Sequence, residues 1–99
     1  QMVLTQLNKI SKLQLNILWL DTKIGLAVDQ LQSGERIPLT KYFFWPKTDA
    51  WDQIRRELDT KSWIVNSEKV ELLSSTATIM NQWQSSNNNT SIPMKKNEQ

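Results

Sequence analysis

The sequence contains no cysteine and no histidine, and it has only two glycines, Gly25 and Gly34. The two missing residue types exclude disulfide bonds, thiol catalysis, Cys/His metal sites and any histidine acid–base step. Two isolated glycines cannot build a glycine-rich phosphate loop. The longest apolar-leaning run, Ile17–Leu20, is far shorter than the ~18 residues of a membrane span. We therefore expect no membrane segment, no cofactor and no small-molecule substrate.

Tryptophan, by contrast, is abundant. Five tryptophans occur in 99 residues, all between positions 19 and 83. Each aromatic side chain can bury roughly 150–250 Å², so we assign the tryptophans mainly to the core of one small domain. In a domain of this size, burial of apolar surface little more than offsets the entropy lost on folding. We expect the isolated domain to be marginally stable and to be completed by a partner surface.

Two segments of alternating hydrophobicity predict a β-hairpin. Apolar and polar residues alternate over Leu13–Trp19 and again over Ile24–Gln30, across the polar turn Asp21–Lys23. Small residues in the second segment leave room for another group to lie close to that strand. Ser33–Arg36 is predicted to be a loop. The β-prone run Leu39–Trp45 is predicted to be a third strand, or an extended segment packed across the sheet.

A first helix is predicted after this run. It begins behind an N-cap at Thr48 or Asp49 and ends near Asp59 or Thr60. The residues of its predicted buried face are Trp51, Ile54 and Leu58. The i,i+4 spacing also predicts two ion pairs, Asp52–Arg56 and Arg55–Asp59.

A second, longer helix is predicted to be capped by Asn66 or Ser67 and to run to about Gln84. Its predicted apolar stripe is formed by Val70, Leu73, Ala77 and Met80, and it is widened by Leu72, Ile79 and Trp83. The chain is therefore predicted to fold as an α+β domain, in which a small antiparallel sheet packs against two C-terminal helices. The domain spans residues 13–84, with a flexible lead-in over 1–12 and a polar, disordered tail over 85–99.

The charges are divided unevenly along the chain. Residues 1–47 hold six basic and three acidic groups, a net charge of +3, whereas residues 48–86 hold four basic and six acidic groups, a net charge of −2. A basic half can bind RNA phosphates, and a solvated surface is the alternative explanation. The candidate RNA-binding residues are Lys9, Lys12, Lys23, Arg36, Lys41 and Lys47.

The aromatic block at residues 42–45 has two interpretations. Aromatic side chains on a strand can stack on unpaired bases, or they can belong to the core and contact a partner protein. The second interpretation is favoured, because four consecutive residues of a strand point to both faces. The candidate core or protein-contact aromatics are Trp19, Tyr42, Phe43, Phe44, Trp45, Trp51, Trp63 and Trp83.

Catalysis and metal binding have little support. Asp21 and Asp29 are a conceivable acid–base pair, but a turn residue and a solvated strand residue explain them more simply. No nucleophile is accompanied by a base, and the acidic residues do not cluster with the spacing of a metal-binding loop. We therefore predict a protein that is not an enzyme and holds no metal.

A series of short motifs, taken in order, is distinctive. The motifs are Leu18-Trp19-Leu20-Asp21, Ala27-Val28-Asp29-Gln30, Pro38-Leu39-Thr40, Tyr42-Phe43-Phe44-Trp45-Pro46, Asp49-Ala50-Trp51, Trp63-Ile64, Val70-Glu71-Leu72-Leu73, Asn81 and Trp83-Gln84. In these residues the chain resembles the plastid-specific ribosomal protein 3 family of chloroplasts and cyanobacteria, over about residues 13–84.

The resemblance implies a structural component of the chloroplast small (30S) ribosomal subunit, located in the stroma and without catalysis. Its implied partners are 16S ribosomal RNA and other small-subunit ribosomal proteins. The alternative function is a non-ribosomal adaptor that binds a protein through residues 42–45 and the second helix.

Overall fold

The structure is a computed structural model that describes residues 12–91, with side chains described as far as residue 87. The candidate Lys9, with the other residues of 1–11, and residues 92–99 lie outside the described residues, whereas Lys12, the last residue of the predicted lead-in, begins β1. Within the described range the predicted α+β class is confirmed, with an antiparallel sheet of four strands and two helices. The elements are β1 (Lys12–Trp19), β2 (Ile24–Gln32), β3 (Glu35–Pro38), β4 (Phe43–Trp45), α1 (Ala50–Asp59) and α2 (Asn66–Ser91).

The first two strands form the predicted hairpin. Their antiparallel register runs from Lys12 opposite Leu31 to Trp19 opposite Ile24. Strand β2 pairs with β1 along one edge and with β3 and β4 along the other, so it is the central strand. Its first six residues are all buried as a result.

The turn expected from the residues of the predicted loop Ser33–Arg36 is confirmed at Ser33 and Gly34, but Glu35 and Arg36 belong to a strand and not to a loop. Ser33 and Gly34 have φ angles of 53° and 80°, and positive φ at both central positions is the type I′ geometry that suits a hairpin. The next four residues pair with the end of β2 as β3. This strand could not be predicted from the sequence, because its four residues are all exposed and lack the alternating pattern of a half-buried strand.

The predicted third strand over Leu39–Trp45 is shortened to β4, which pairs with the beginning of β2. The backbone N–H groups of Leu39 and Thr40 both donate to the Val28 carbonyl, at 2.9 and 3.2 Å. Two residues therefore face one, as in a β-bulge. The Thr40 hydroxyl accepts the Val28 N–H at 3.0 Å, so both backbone groups of this central-strand residue are satisfied.

Helix α1 agrees closely with its prediction. Asp49 is the N-cap, and its carboxylate accepts the backbone N–H of Asp52 at 3.2 Å. The buried residues of the helix are Ala50, Ile54 and Leu58. Trp51 lies at the edge of this face and is half-buried, and its indole N–H donates to the Leu73 carbonyl of α2 at 3.0 Å.

Helix α2 begins at Asn66, one or two residues before the start that a cap at Asn66 or Ser67 implies, and its buried face is rotated from the predicted stripe. Its buried residues are Leu72, Thr76, Met80 and Trp83. Val70, which was expected at the start of the stripe, is exposed. Thr76 occupies the centre of the face because its hydroxyl donates to the Leu72 carbonyl at 2.8 Å and is not left unsatisfied.

The end of α2 also differs from expectation, because the helix continues past Gln84 to Ser91. Residues 85–91 of the predicted tail are therefore helical. Serine and asparagine have modest helix propensity and favour caps and turns, which explains the early stop in the prediction. A helix that has already formed adds residues at low cost, however, so it can extend through such a segment.

The core lies between one face of the sheet and the two helices. Its buried members are Ile24, Leu26, Val28, Phe43, Ala50, Ile54, Leu58, Ile64, Leu72, Met80 and Trp83. Neither of the two described helices combines the length and the apolar character needed to cross a bilayer.

Candidate nucleic-acid interface

The strand register divides the sheet residues between two faces. Residues that pair directly point to the same side, and neighbours along a strand alternate. The face that carries Leu26 and Val28 packs against the helices. We call the opposite side the open face. Its strand residues are Lys12, Gln14, Asn16, Leu18, Gly25, Ala27, Asp29, Leu31, Arg36, Pro38 and Phe44.

Several of the candidate RNA-binding residues come together at the open face. Lys12 and Arg36 belong to it through the register, on opposite sides of Leu31. Lys23 joins it because its ammonium nitrogen lies 4.8 Å from the centre of the Phe44 ring. Lys47 is exposed in the turn that follows β4.

Two candidates also border grooves on the helix side. Lys12, at the start of the edge strand, lines a groove of about 290 Å³ between β1 and α2, together with Glu68 and Glu71. Lys41 lines another groove with Glu57 of α1. The six candidates therefore do not form one patch. Arg36, through the strand register, and Lys23, through its contact with Phe44, are the two that lie on the open face and line neither groove.

The cations of the two layers differ in their partners. All four basic residues of the helical part form ion pairs with carboxylates, at 2.8–3.6 Å; they are Arg55, Arg56, Lys61 and Lys69. In the sheet part, Arg36 lies 3.6 Å from Asp29. No ion pair with another described residue is formed by Lys12, Lys23, Lys41 or Lys47. Positive charge that is free to meet a polyanion is therefore concentrated in the sheet part.

These pairs lower the pKa values of two carboxyl groups of α1, Asp52 and Asp59. The hydrogen bond from Arg55 holds the pKa of Asp52 below its usual value, and Asp52 in turn raises the pKa of Arg55. A hydrogen bond from Lys69 of α2 lowers the pKa of Asp59. The two predicted pairs, Asp52–Arg56 and Arg55–Asp59, are confirmed at 2.9 and 3.0 Å.

Asp29 is buried at the centre of the open face, which corrects the expectation of a solvated residue. Its Oδ2 accepts a hydrogen bond from Asn16 at 2.7 Å and lies 3.6 Å from Nε of Arg36. Gln14 donates to the Asn16 side chain at 3.3 Å. Side chains from both neighbouring strands thus cover this carboxylate and satisfy it. Asp21 lies exposed in the hairpin turn, away from this network.

The described residues also contain no group of three or more acidic, cysteine or histidine side chains that could hold a metal ion.

The aromatic block divides between the two faces. Phe43 is buried in the core, and Trp45 makes an edge-to-face contact with Trp83 at 5.7 Å. Phe44 lies on the open face, where Tyr42 stacks beside it with ring centres 6.3 Å apart and planes inclined by 28°. Each neighbouring pair of aromatics in the block therefore points to opposite sides, as strand geometry requires.

Gly25 allows Phe44 to lie against the sheet. A Cβ atom at position 25 would sit 2.7 Å from Cε1 of Phe44, closer than such atoms approach, and 3.2 Å from Cβ of Leu18, which is a tight contact. The small residues of β2 were expected to leave room for another group, and Phe44 is that group. A glycine within a strand indicates that another group approaches closely. Nothing in the sequence indicated that this group is Phe44, 19 positions away.

The assignment of the tryptophans mainly to the core holds only in part. Trp83 is buried and its indole N–H donates to the Leu20 carbonyl at 2.8 Å. Trp19 is 50% exposed and Trp63 is 52% exposed, so these two are not core residues. Trp19 ends an edge strand and Trp63 lies in the connection between the helices, and neither position has a second layer over it.

The chain matches a family model over residues 39–86, described as plastid and cyanobacterial ribosomal protein (PSRP-3 / Ycf65). The matched span contains β4, α1 and most of α2. Both members of the aromatic pair on the open face, Tyr42 and Phe44, lie within the matched span.

Individual relatives extend the similarity to most of the chain. A small ribosomal subunit protein cS23 from Gracilaria tenuistipitata var. liui is 46% identical over 83 residues, which cover 84% of each chain. A probable small ribosomal subunit protein cS23 from a Synechococcus species is 43% identical over 81 residues, or 82% of each chain. A small ribosomal subunit protein cS23 from Hordeum vulgare is 41% identical over 73 residues, 73% of this chain and 40% of its own.

Proposed function

Because the chain belongs to the plastid and cyanobacterial ribosomal protein family PSRP-3/Ycf65, we propose that it is a structural component of the chloroplast 30S subunit that binds 16S ribosomal RNA through the open face. It acts in translation on ribosomes of the stroma, and it contributes contacts rather than catalysis. The relatives named above are small-subunit proteins, which leaves the non-ribosomal adaptor without support from them.

The observation that carries the RNA-binding surface is the difference in ion pairing. Cations of the helical part are neutralised by their own carboxylates, whereas Lys23 has no carboxylate partner among the described residues. Phosphate contacts from lysine and arginine release condensed counterions, and this supplies affinity without reading the base sequence. We assign such contacts to Lys12 and Lys23, which have no carboxylate partner among the described residues, and to Arg36, which lies on the same face and is largely exposed although it is 3.6 Å from Asp29.

The helical layer then faces away from the RNA. Its net charge of −2 over residues 48–86 disfavours contact with a polyanion. The exposed Trp19 and Trp63 are available to neighbouring small-subunit proteins, which are the second class of partner.

The proposal is tested by adding the recombinant chain to salt-washed small subunits and measuring the bound fraction across a salt series. A plot of log K against log salt concentration has a negative slope, and each lost phosphate contact makes this slope less steep by about 0.7–0.9. We expect Lys23→Gln to lower the slope by about that amount. Arg56→Gln removes the same charge from α1 and is the matched control, for which we expect an unchanged slope.

Equal slopes for the wild type and Lys23→Gln would contradict the assignment of the open face to the RNA interface.

Sedimentation of a stromal extract tests the broader claim that the chain is a ribosomal protein. Absence of the chain from small-subunit fractions at both low and high salt would contradict the ribosomal role itself.

A further inference from the structure

We propose that the open face also holds a binding site for one unpaired nucleotide, in which the base stacks on Tyr42 and the phosphate binds Lys23. This inference rests on the proposed function, because it assumes that RNA meets the open face. It adds a defined ligand, an unstacked base of single-stranded RNA, to the sequence-independent phosphate contacts.

The first support is the fixed position of the aromatic pair. Phe44 lies against the backbone at Gly25, and Tyr42 stacks beside it with ring centres 6.3 Å apart. Tyr42 nevertheless keeps 38% of its surface exposed. A ring that is held in place on one side and exposed on the other suits stacking by a base, because little rotamer freedom is lost when the base binds.

The second support is the cation beside these rings. The Lys23 ammonium lies 4.8 Å from the centre of the Phe44 ring, and no carboxylate among the described residues pairs with it. Phe44 links the two groups, because its ring contacts the Lys23 ammonium and stacks on Tyr42. The flexible lysine side chain can turn from this ring to the phosphate of a nucleotide stacked on Tyr42. This complementarity favours a nucleotide over an apolar protein segment.

The third support is the chemistry of the surrounding face. Leu18, on the strand next to Gly25, is exposed, whereas the carboxylate of this face, Asp29, is covered by Asn16 and Arg36. The end of the open face that carries Tyr42 thus combines apolar surface with positive charge. Proteins that bind single strands without reading sequence use this combination of aromatic platform and basic groove.

The test uses the full 99-residue chain and a fluorescent oligoadenylate of about ten nucleotides, a length within the usual site size of single-strand binders. Fluorescence anisotropy measures its dissociation constant, and an adenylate–uridylate duplex of the same length is the comparison probe. We expect tighter binding of the single strand than of the duplex.

Tyr42→Ala should weaken single-strand binding about fivefold or more, without changing the salt slope, because no charge is lost. Tyr42→Phe should retain the wild-type affinity.

Lys23→Gln separates the base contact from the phosphate contact. We expect it to lower the salt slope by about 1, while the preference for single strand over duplex persists. Circular dichroism of each variant establishes that the fold is intact, and a large stability loss is not expected at a partly exposed tyrosine.

The outcomes distinguish this inference from the proposed function. If Tyr42→Ala binds oligoadenylate like the wild type while Lys23→Gln still loses salt dependence on small subunits, the stacking site is wrong and the RNA-facing surface stands. If neither substitution changes any binding, both are wrong. If Tyr42→Ala keeps the wild-type affinity for oligoadenylate but binds ribosomal proteins free of RNA more weakly, the exposed Tyr42 ring is a protein contact and the nucleotide site is overturned.

Discussion

The two faces of the sheet use the same strands for different tasks. The helix-covered face presents Ile24, Leu26 and Val28, each fully buried, to the core. The open face presents a hydrogen-bonded polar network around Asp29 and an aromatic pair beside Lys23. One face therefore supplies most of the folding energy, and the other remains available for a partner. Strand β2 is thus buried on both sides, but one side packs in the apolar core and the other lies under polar and aromatic side chains.

The charge follows the same division. The helices behind the core neutralise their own cations, whereas the sheet keeps lysines without carboxylate partners among the described residues. Internal pairing lowers the field of the helical layer, and unpaired lysines keep the field of the sheet. Steering of the chain onto RNA by its sheet side is the expected consequence.

The largest effect is expected from a leucine-to-alanine substitution on each face. Leu26 is 0% exposed on the covered face and Leu18 is 40% exposed on the open face, so they form a matched pair on neighbouring strands. Leu26→Ala should lower the free energy of unfolding by about 2–5 kcal/mol, because it leaves a cavity in the core. Leu18→Ala should lower it by less than about 1 kcal/mol. Urea unfolding followed by circular dichroism measures both, and equal losses would contradict the division into two faces.

A smaller effect is expected from acid, and it concerns the helical layer. The pKa values of Asp52 and Asp59 are lowered in the folded chain, first of all by hydrogen bonds from Arg55 and Lys69. A carboxylate of this kind stabilises the fold above its unfolded pKa, near 3.9, and that contribution is lost as the pH falls through the folded pKa. Urea midpoints should therefore fall below about pH 4.

The double variant Asp52→Asn/Asp59→Asn should show a flatter acid limb than the wild type, because the groups responsible have been removed. Asp21→Asn, at an exposed turn, is the control and should keep the wild-type shape. An identical acid limb in the double variant would mean that these ion pairs do not contribute to the stability of the helical layer.

The smallest effect is expected at Asp29, and it sharpens the description of the open face. Asp29→Asn keeps an oxygen that can accept from Asn16 but removes the charge beside Arg36. Because the Arg36 side chain is largely exposed, the loss of stability should stay within about 1 kcal/mol. Affinity for small subunits should rise, since Arg36 is released for phosphate. Weaker association of a folded Asp29→Asn variant would contradict the assignment of Arg36 to the RNA contact.

Local features of the fold followed from local sequence. The cap of α1, its buried face and the Asp52–Arg56 pair are set by residues within one or two helical turns of each other. The ion pair was predicted, the cap was narrowed to Thr48 or Asp49, and Ile54 and Leu58 were correctly assigned to the buried face. The Ser33-Gly34 turn was also recognisable, although the strand after it was not. Predictions failed where the environment came from a distant segment, as for the exposed Trp19 and Trp63.

By itself, the sequence determined the α+β class, the first hairpin, the start of both helices and the ribosomal family, because hydrophobic period, cap residues and motif order are written along the chain. Only the tertiary structure decided which lysines have no carboxylate partner among the described residues, that Asp29 is covered from both neighbouring strands, and that Phe44 lies over Gly25 in contact with Lys23 and Tyr42. These outcomes depend on strand register and on the bulge at Thr40. A shift of one residue in register would move the strand residues among them, Asp29 and Phe44, to the other face.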